Sequence, residues 1–363
     1  MSNRSKNVSE CGMRRLNGAK SAAAQVLPSH YEHTSRKHCL TLTSPFEWQT
    51  LLLFLLMFSQ GLSASDLGPV NKKWKMNLTE TPAVLTTPFA CVAYYVPREP
   101  RRVLVLASGY PWDDGTASTE QLRTYTLHDV ERWRAFADRN HVLIVAPCFG
   151  SNHFAGYREL RGNPITPDTF LNMLIDGPVS ERVPVAGGRF SLHGHSAGAQ
   201  FSARYLVAHP ERLEAVVLSA PSTYPFPKMD VPWPYGEGVE ANNFGAWGAP
   251  VTGALSESNR PSPKGWVRAA TSVPLTVIVG SQDRETRPPA PGNFGVSRLD
   301  RGIAWVREMQ GLAKQNHCAS TVRFRLAKGI SHDETAMMIP AQSVLEELWR
   351  PGELKDRCSE PID

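Results

Sequence analysis

What the chain has little of narrows its functions first. It has no long apolar run: residues 51–58 (LLLFLLMF) fall well short of the about 20 residues a helix needs to cross a bilayer. Charge of one sign is scarce outside the N-terminal region. Residues 1–64 hold 7 Lys/Arg and 3 Asp/Glu, whereas the remainder holds 32 and 31, so the formal net charge of +5 resides mostly in the first segment. The body therefore lacks the basic bias of a nucleic-acid binder. No two of the six cysteines have C-x-x-C spacing, which removes the usual sign of a metal or redox site. No internal repeat is present. With 41% hydrophobic and 20% charged residues, global disorder is excluded and about 300 residues can bury a full core as one domain.

The N-terminal region has the layout of an export leader. Arg36 and Lys37 precede the apolar run, and SQGLSAS follows it with small residues ending at Ala64. The order of charged region, apolar core and small-residue site predicts cleavage, with a mature protein beginning near Ser65. A polar extension of about 45 residues ahead of this unit is unusual for a leader, and a start site placed too early would explain it. The alternative is a disordered N-terminus with a short membrane-associating segment. Domain organisation then reads as a leader over 1–64 and one folded domain over 65–363. Secretion or a periplasmic location follows from the leader. Cys91, Cys148, Cys318 and Cys358 remain after cleavage, an even number that suits an oxidising compartment and also suits chance.

Within the body, short apolar runs alternate with segments of helical period. Strands are predicted at 89–96, 103–107, 142–146, 189–192, 215–218, 275–279 and 322–326, and helices at 119–139, 299–315 and 334–349. This alternation implies an α/β fold: a mostly parallel central sheet flanked by helices. Residues 222–264 interrupt it with 7 Pro and 5 Gly and no clean period. Their aromatics, Trp233, Tyr235, Phe244 and Trp247, suggest an excursion that shapes a substrate pocket beside Trp112. A plain surface loop is the alternative.

The strongest chemical signal is Gly194-His195-Ser196-Ala197-Gly198, a G-x-S-x-G between a strand and a helix. Such a turn exposes a serine hydroxyl at a helix N-terminus, and its glycines make room for the strained backbone. A serine hydroxyl needs an adjacent base, and the order along the chain in this architecture is Ser, acid, His. Beyond the strand at 275–279 there are two histidines. His317 ends a helix and reads as a surface residue, whereas His332, in GISHDE, lies between a strand and a helix and is the predicted base. Asp283, in GSQDRET, is the predicted acid, with Glu285 as the second candidate. Oxyanion stabilisation needs two N–H donors. Ala197, after the nucleophile, is one. The loop Ser108-Gly109-Tyr110-Pro111 supplies the other, from Tyr110 first and Gly109 next, since Pro111 has no N–H. His193 and His195 flank the serine, but with no acidic third ligand in view they read as packing residues. Neither a metal nor a cofactor is called for.

From about residue 89 to residue 349 the chain resembles the α/β-hydrolase superfamily. GHSAGAQFSARYLVAHPERLEAVVLSAPSTYPFP followed by WPYG is similar to the secreted branch of polyhydroxybutyrate-depolymerase-like esterases, with feruloyl and acetyl-xylan esterases as neighbours. The resemblance implies hydrolysis of a carboxylic ester, small or polymeric, through an acyl-enzyme. Ser108-Gly109 departs from that branch, where His-Gly is usual. The superfamily's strand order places the second strand antiparallel beside the fourth. If 89–96 and 142–146 are those strands, Cys91 and Cys148 become neighbours and Cys318 pairs with Cys358. Two other functions stay open: a serine peptidase of prolyl-oligopeptidase type, and a hydrolase fold kept as a non-catalytic binding module.

Overall fold

The apolar runs become the strands of one eight-stranded sheet: β1 (Ala83–Thr86), β2 (Cys91–Tyr95), β3 (Arg102–Ala107), β4 (Val142–Pro147), β5 (Phe190–His195), β6 (Leu213–Ser219), β7 (Leu275–Gly280) and β8 (Val322–Ala327). The structure is a computed structural model and describes residues 81–110, 117–150, 152–183, 188–238, 261–286, 294–350 and Cys358. The leader, the start at Ser65, Trp112 and Trp247 lie outside the described residues. Strand order is β1-β2-β4-β3-β5-β6-β7-β8, and the sheet is open. β2 runs antiparallel to β1 and β4, while every other pair is parallel. Parallel neighbours joined by crossing helices leave the central strands covered on both faces. Every residue of β4, β5 and β7 is accordingly buried. β8 forms the edge, and Arg323 and Arg325 break its exposed face with charge. β1 was not predicted: four residues with three half-buried and one exposed carry too little apolar pattern.

Six helices are described: α1 (Thr119–Asn140), α2 (Pro167–Leu174), α3 (Ala197–Ala208), α4 (Pro263–Thr271), α5 (Arg298–Gln315) and α6 (Glu334–Leu348). Ser118 and Gln121 close a capping box at the start of α1, satisfying N–H groups the helix itself cannot. From there Val130, Trp133, Phe136 and Ala137 recur at helical spacing and bury one stripe. That stripe packs with Met337, Ala341, Val344 and Leu345 of α6 against Leu104, Ile144, Val217 and Ile278 of the sheet. On α3, Phe201 and Tyr205 join Phe149, Phe154, Tyr157 and Phe170 in an aromatic cluster with ring centroids 4.7–6.4 Å apart. Helix α4 begins at Pro263, so the long excursion after β6 ends within its predicted span.

Both cysteine pairs form. Cys91 and Cys148 bridge β2 to the end of β4 with Cα atoms 5.2 Å apart, and Cys318 and Cys358 join the end of α5 to the C-terminal segment at 4.0 Å. Among the described residues no helix is long and apolar enough to cross a membrane.

Candidate active site

Ser196 sits between the last residue of β5 and the first of α3, with φ 49° and ψ −111°. A positive φ is costly for a residue with a Cβ and survives only where the surroundings dictate it. Here they do. A Cβ on Gly198 would lie 1.8 Å from the Ala107 carbonyl oxygen, and one on Gly194 2.5 Å from the Gly198 oxygen. Strand end and helix start are therefore pressed together, and the Ser196 N–H donates to the Ser219 carbonyl on β6 at 2.9 Å. The hydroxyl is left at the N-terminus of α3, where helix amides favour negative charge.

The predicted acid, Asp283, and the predicted base, His332, come from neighbouring loops after β7 and β8. Gln282 N–H donates to the Ile330 carbonyl at 2.9 Å, and Gly329 N–H to Ser281 Oγ at 2.9 Å. A Cβ at Gly280 would sit 2.3 Å from the Ile330 oxygen, so the two loops touch backbone to backbone. Asp333 caps α6 through the Ala336 N–H at 2.6 Å, fixing the residue after His332. His332 Nε2 then lies 2.9 Å from Ser196 Oγ, and its Nδ1 3.1 Å from Asp283 Oδ2. The side chain of Asp283 is 1% exposed. Burial works to raise its carboxyl, yet the His332 hydrogen bond and the Arg298 charge outweigh that and hold it below the usual carboxylate range. Glu285 turns elsewhere, accepting from Arg301 Nη2 at 2.6 Å and forming an ion pair with Arg298, whose Nε lies 3.2 Å away. His317 is exposed at the end of α5.

The loop after β3 crosses the start of α3. A Cβ on Gly198 would also meet the Ser108 carbonyl at 2.6 Å, which places Ser108 against the first turn of α3. Gly109 N–H donates to Glu334 Oε1 at 3.1 Å, so this second candidate for an oxyanion donor already has an acceptor. The Tyr110 ring lies against Gly150, where a Cβ would come within 2.6 Å of it, and packs on Leu122 and the Cys91–Cys148 bridge. Its hydroxyl accepts from the Ala117 N–H at 3.3 Å.

His193 and His195 are both buried. Desolvation above all pulls each imidazole down to about 3. His193 Nε2 lies 3.1 Å from Ser219 Oγ. The His195 ring lies 4.9 Å from that of His332, with Nδ1 3.6 Å from Glu334 Oε1. Among the described residues no group of three His, Cys, Asp or Glu is placed to hold a metal ion. Of the predicted pocket aromatics, Trp233 is 3% exposed and Tyr235 is half-buried, its ring 5.7 Å from the Arg204 guanidinium. Arg204 also donates to the Pro234 carbonyl at 3.0 Å and to Thr223 Oγ1 at 3.3 Å, pinning the root of the excursion to α3.

Sequence reasoning missed Arg298, Glu334, Asp129 and Arg204. For Glu334 a signal existed, two residues beyond His332 at the first position of α6. For Arg298 and Arg204 there was none, because Asp283, Thr223 and Pro234 reach them only through tertiary packing, whereas Asp129 pairs with Arg132 three residues on in the same helix.

No protein-family model matches the sequence, and no curated protein sequence matches it. Solved structures do. Poly(aspartic acid) hydrolase-1 from Sphingomonas sp. KT-1 is 18% identical, with 72% of this chain and 97% of that chain covered at a TM-score of 0.56. LpqC, a poly(3-hydroxybutyrate) depolymerase from Bordetella parapertussis, is 22% identical, with 73% of this chain and 86% of that chain covered at a TM-score of 0.54. These likenesses, together with the strand order and the strained serine after β5, show that the chain has the α/β-hydrolase fold.

Proposed function

We propose that this chain is a serine esterase that cleaves a carboxylic ester through an acyl-enzyme. The observation that carries the reading is the single line of contacts from Ser196 Oγ to His332 Nε2 at 2.9 Å and from His332 Nδ1 to Asp283 Oδ2 at 3.1 Å. In the reaction, Ser196 Oγ attacks the ester carbonyl carbon while His332 Nε2 takes its proton. Asp283 holds the Nδ1–H and balances the imidazolium. The carbonyl oxygen, now an anion, is received by the N–H groups of Ala197 and Tyr110. As the tetrahedral adduct collapses, the alcohol departs with the proton from His332. Water then attacks the acyl carbon as His332 accepts its proton, and the second adduct collapses to the acid while His332 returns that proton to Ser196 Oγ.

The Ala197 donor is supported by its place at the first position of α3, where an N–H has no acceptor within the helix. Tyr110 is the proposed second donor, and the Gly109 N–H beside it donates to Glu334 at 3.1 Å. Trp112, Trp233, Tyr235 and Trp247 are the proposed pocket aromatics. LpqC, by its name, acts on a polyester, and the Sphingomonas protein on a poly(amino acid). An ester, small or polymeric, is the substrate class proposed here. Secretion fits the two disulfides, which persist in oxidising compartments. The test is labelling with a fluorophosphonate probe, followed by panels of esters and peptides. Labelling at Ser196 and turnover of esters alone is the expected result. Peptide turnover without ester turnover would favour a peptidase, and no labelling would leave a binding protein.

A further inference from the structure

A half-buried polar cluster lies behind the loop after β3. Glu334 Oε1 accepts the Gly109 N–H at 3.1 Å and lies 3.6 Å from His195 Nδ1, while Oε2 accepts from the Tyr125 hydroxyl. Arg132 Nη2 is 3.7 Å from Oε2 and also binds Asp129. Asp129 is 4% exposed. Ser108, Asp129, Arg132, Trp133, His193 and Glu334 line one small cleft under the loop.

Three properties of this arrangement go beyond packing. First, Glu334 is two residues from His332 on the same helix start, so its position follows that of the base. Second, its carboxylate reaches across to the loop that must present an oxyanion donor. It spans the two halves of the site without touching the reacting atoms. Third, the Gly109 contact fixes the orientation of the peptide plane next to the Gly109–Tyr110 plane. A rotated Gly109 would carry the following N–H out of line, and oxyanion donors are sensitive to fractions of an ångström. A Cβ at Gly109 would lie 3.2 Å from His195 Nδ1, so the loop also rests on a ring whose own burial keeps it uncharged near neutral pH.

We propose that Glu334 is the positioning residue of the oxyanion hole: by accepting the Gly109 N–H it holds the loop so that the Tyr110 N–H faces the developing anion. This inference rests on the esterase reading. It assigns Glu334 to the transition state rather than to substrate binding, so its loss lowers kcat and leaves KM nearly unchanged.

The experiment compares wild type, Glu334→Ala and Glu334→Gln in ester hydrolysis. It also measures affinity for a trifluoromethyl ketone, which forms an oxyanion on Ser196, and for the carboxylic acid product, which does not. Glu334→Ala is expected to lose about 10–100-fold in kcat, a fraction of what removing an oxyanion donor costs. It should lose ketone affinity in parallel and retain KM and product affinity. Glu334→Gln keeps an acceptor oxygen and should recover most of the loss. A kcat within twofold of wild type in Glu334→Ala, a Gln variant as poor as Ala, or equal losses of ketone and product affinity would each overturn the proposal. Should the alanine variant fail to fold, Glu334→Asp replaces it. This change keeps the charge but withdraws the acceptor by one methylene, with the same expected and overturning results. A wild-type chain that neither labels with a fluorophosphonate nor turns over esters would overturn the esterase reading and this inference together. A labelled, active wild type with unaffected Glu334 variants would overturn this inference alone.

Discussion

Arg298 Nη1 donates to both oxygens of Asp283, 2.8 Å to Oδ1 and 3.1 Å to Oδ2, while its Nε reaches Ser222 Oγ at 3.1 Å. The side chains of the pair are 8% and 1% exposed. The carboxylate that orients His332 is therefore itself gripped from the far side by the first residue of α5, and Ser222, at the root of the excursion, shares the same guanidinium.

Removing one partner of so buried a pair strands the other. Arg298→Gln is expected to cost about 3–5 kcal/mol at neutral pH. The sign with pH follows from Asp283, whose carboxyl lies below its ordinary range in the folded state. That stabilisation is present above the unfolded value of about 3.9 and is lost as pH falls through the lower folded value. The gap in melting temperature between wild type and Arg298→Gln should thus be full at pH 7 and narrow in acid. A gap that widens below pH 4 or so would contradict the assignment of this charge pair.

The two acids separate by mutation. Asp283→Asn leaves the shape intact but presents His332 with the wrong hydrogen-bond partner, and kcat should fall by about 10⁴-fold. Glu285→Gln weakens the pairing with Arg298 and Arg301 and should cost less than about tenfold. Steady-state kinetics on one ester decides this, and the reverse ranking would transfer the role to Glu285.

Buried histidines make acid a denaturant. His193 and His195 are each held down to about 3 by burial, while an unfolded histidine titrates near 6.5. Between those values the unfolded chain binds more protons, so stability rises with pH through that window and levels off above it. Denaturant midpoints from pH 4 to 8 should trace this slope, and His193→Gln should flatten it. An unchanged slope in that variant would show that His193 is protonated in the folded state.

The elbow tolerates no added carbon. Gly198→Ala places a methyl 1.8 Å from the Ala107 oxygen, so the start of α3 must move off β3. A loss of about 1–3 kcal/mol and of most activity is expected. Calorimetry and an ester assay together check it, and a fully active variant would show that the close approach is not required.

Cys91–Cys148 and Cys318–Cys358 each close a loop, of 57 and 40 residues. Replacing either pair by serine should cost about 2–4 kcal/mol. Alkylation and mass analysis of the unfolded protein should find these four positions modified only after reduction. Modification without reductant would exclude the bridges.

The order Ser196, Asp283, His332 could be read from the chain because each residue follows a strand whose pattern is local: Asp283 comes after the apolar run of β7, and His332 after the alternating apolar and charged residues of the edge strand β8. The glycines around Ser196 were legible for the same reason: only a residue without Cβ fits that turn, so the requirement is local. The choice of Asp283 over Glu285 rested on distance from a strand end. Its physical cause, Arg298 and the His332 loop, lies in segments brought together only by the sheet. β1 escaped notice because a short half-buried edge strand is stabilised by its neighbour β2 rather than by its own pattern. Glu334 and Gly109 are 225 residues apart, and Arg298 and Ser222 are 76. Contacts at such range leave no periodicity in the sequence. The chain alone thus determined which residues are the candidates for the reactive groups, since that depends on residue type and local turn. The tertiary structure decided which groups hold them in place, since a hydrogen bond depends on ångströms that only packing across the sheet supplies.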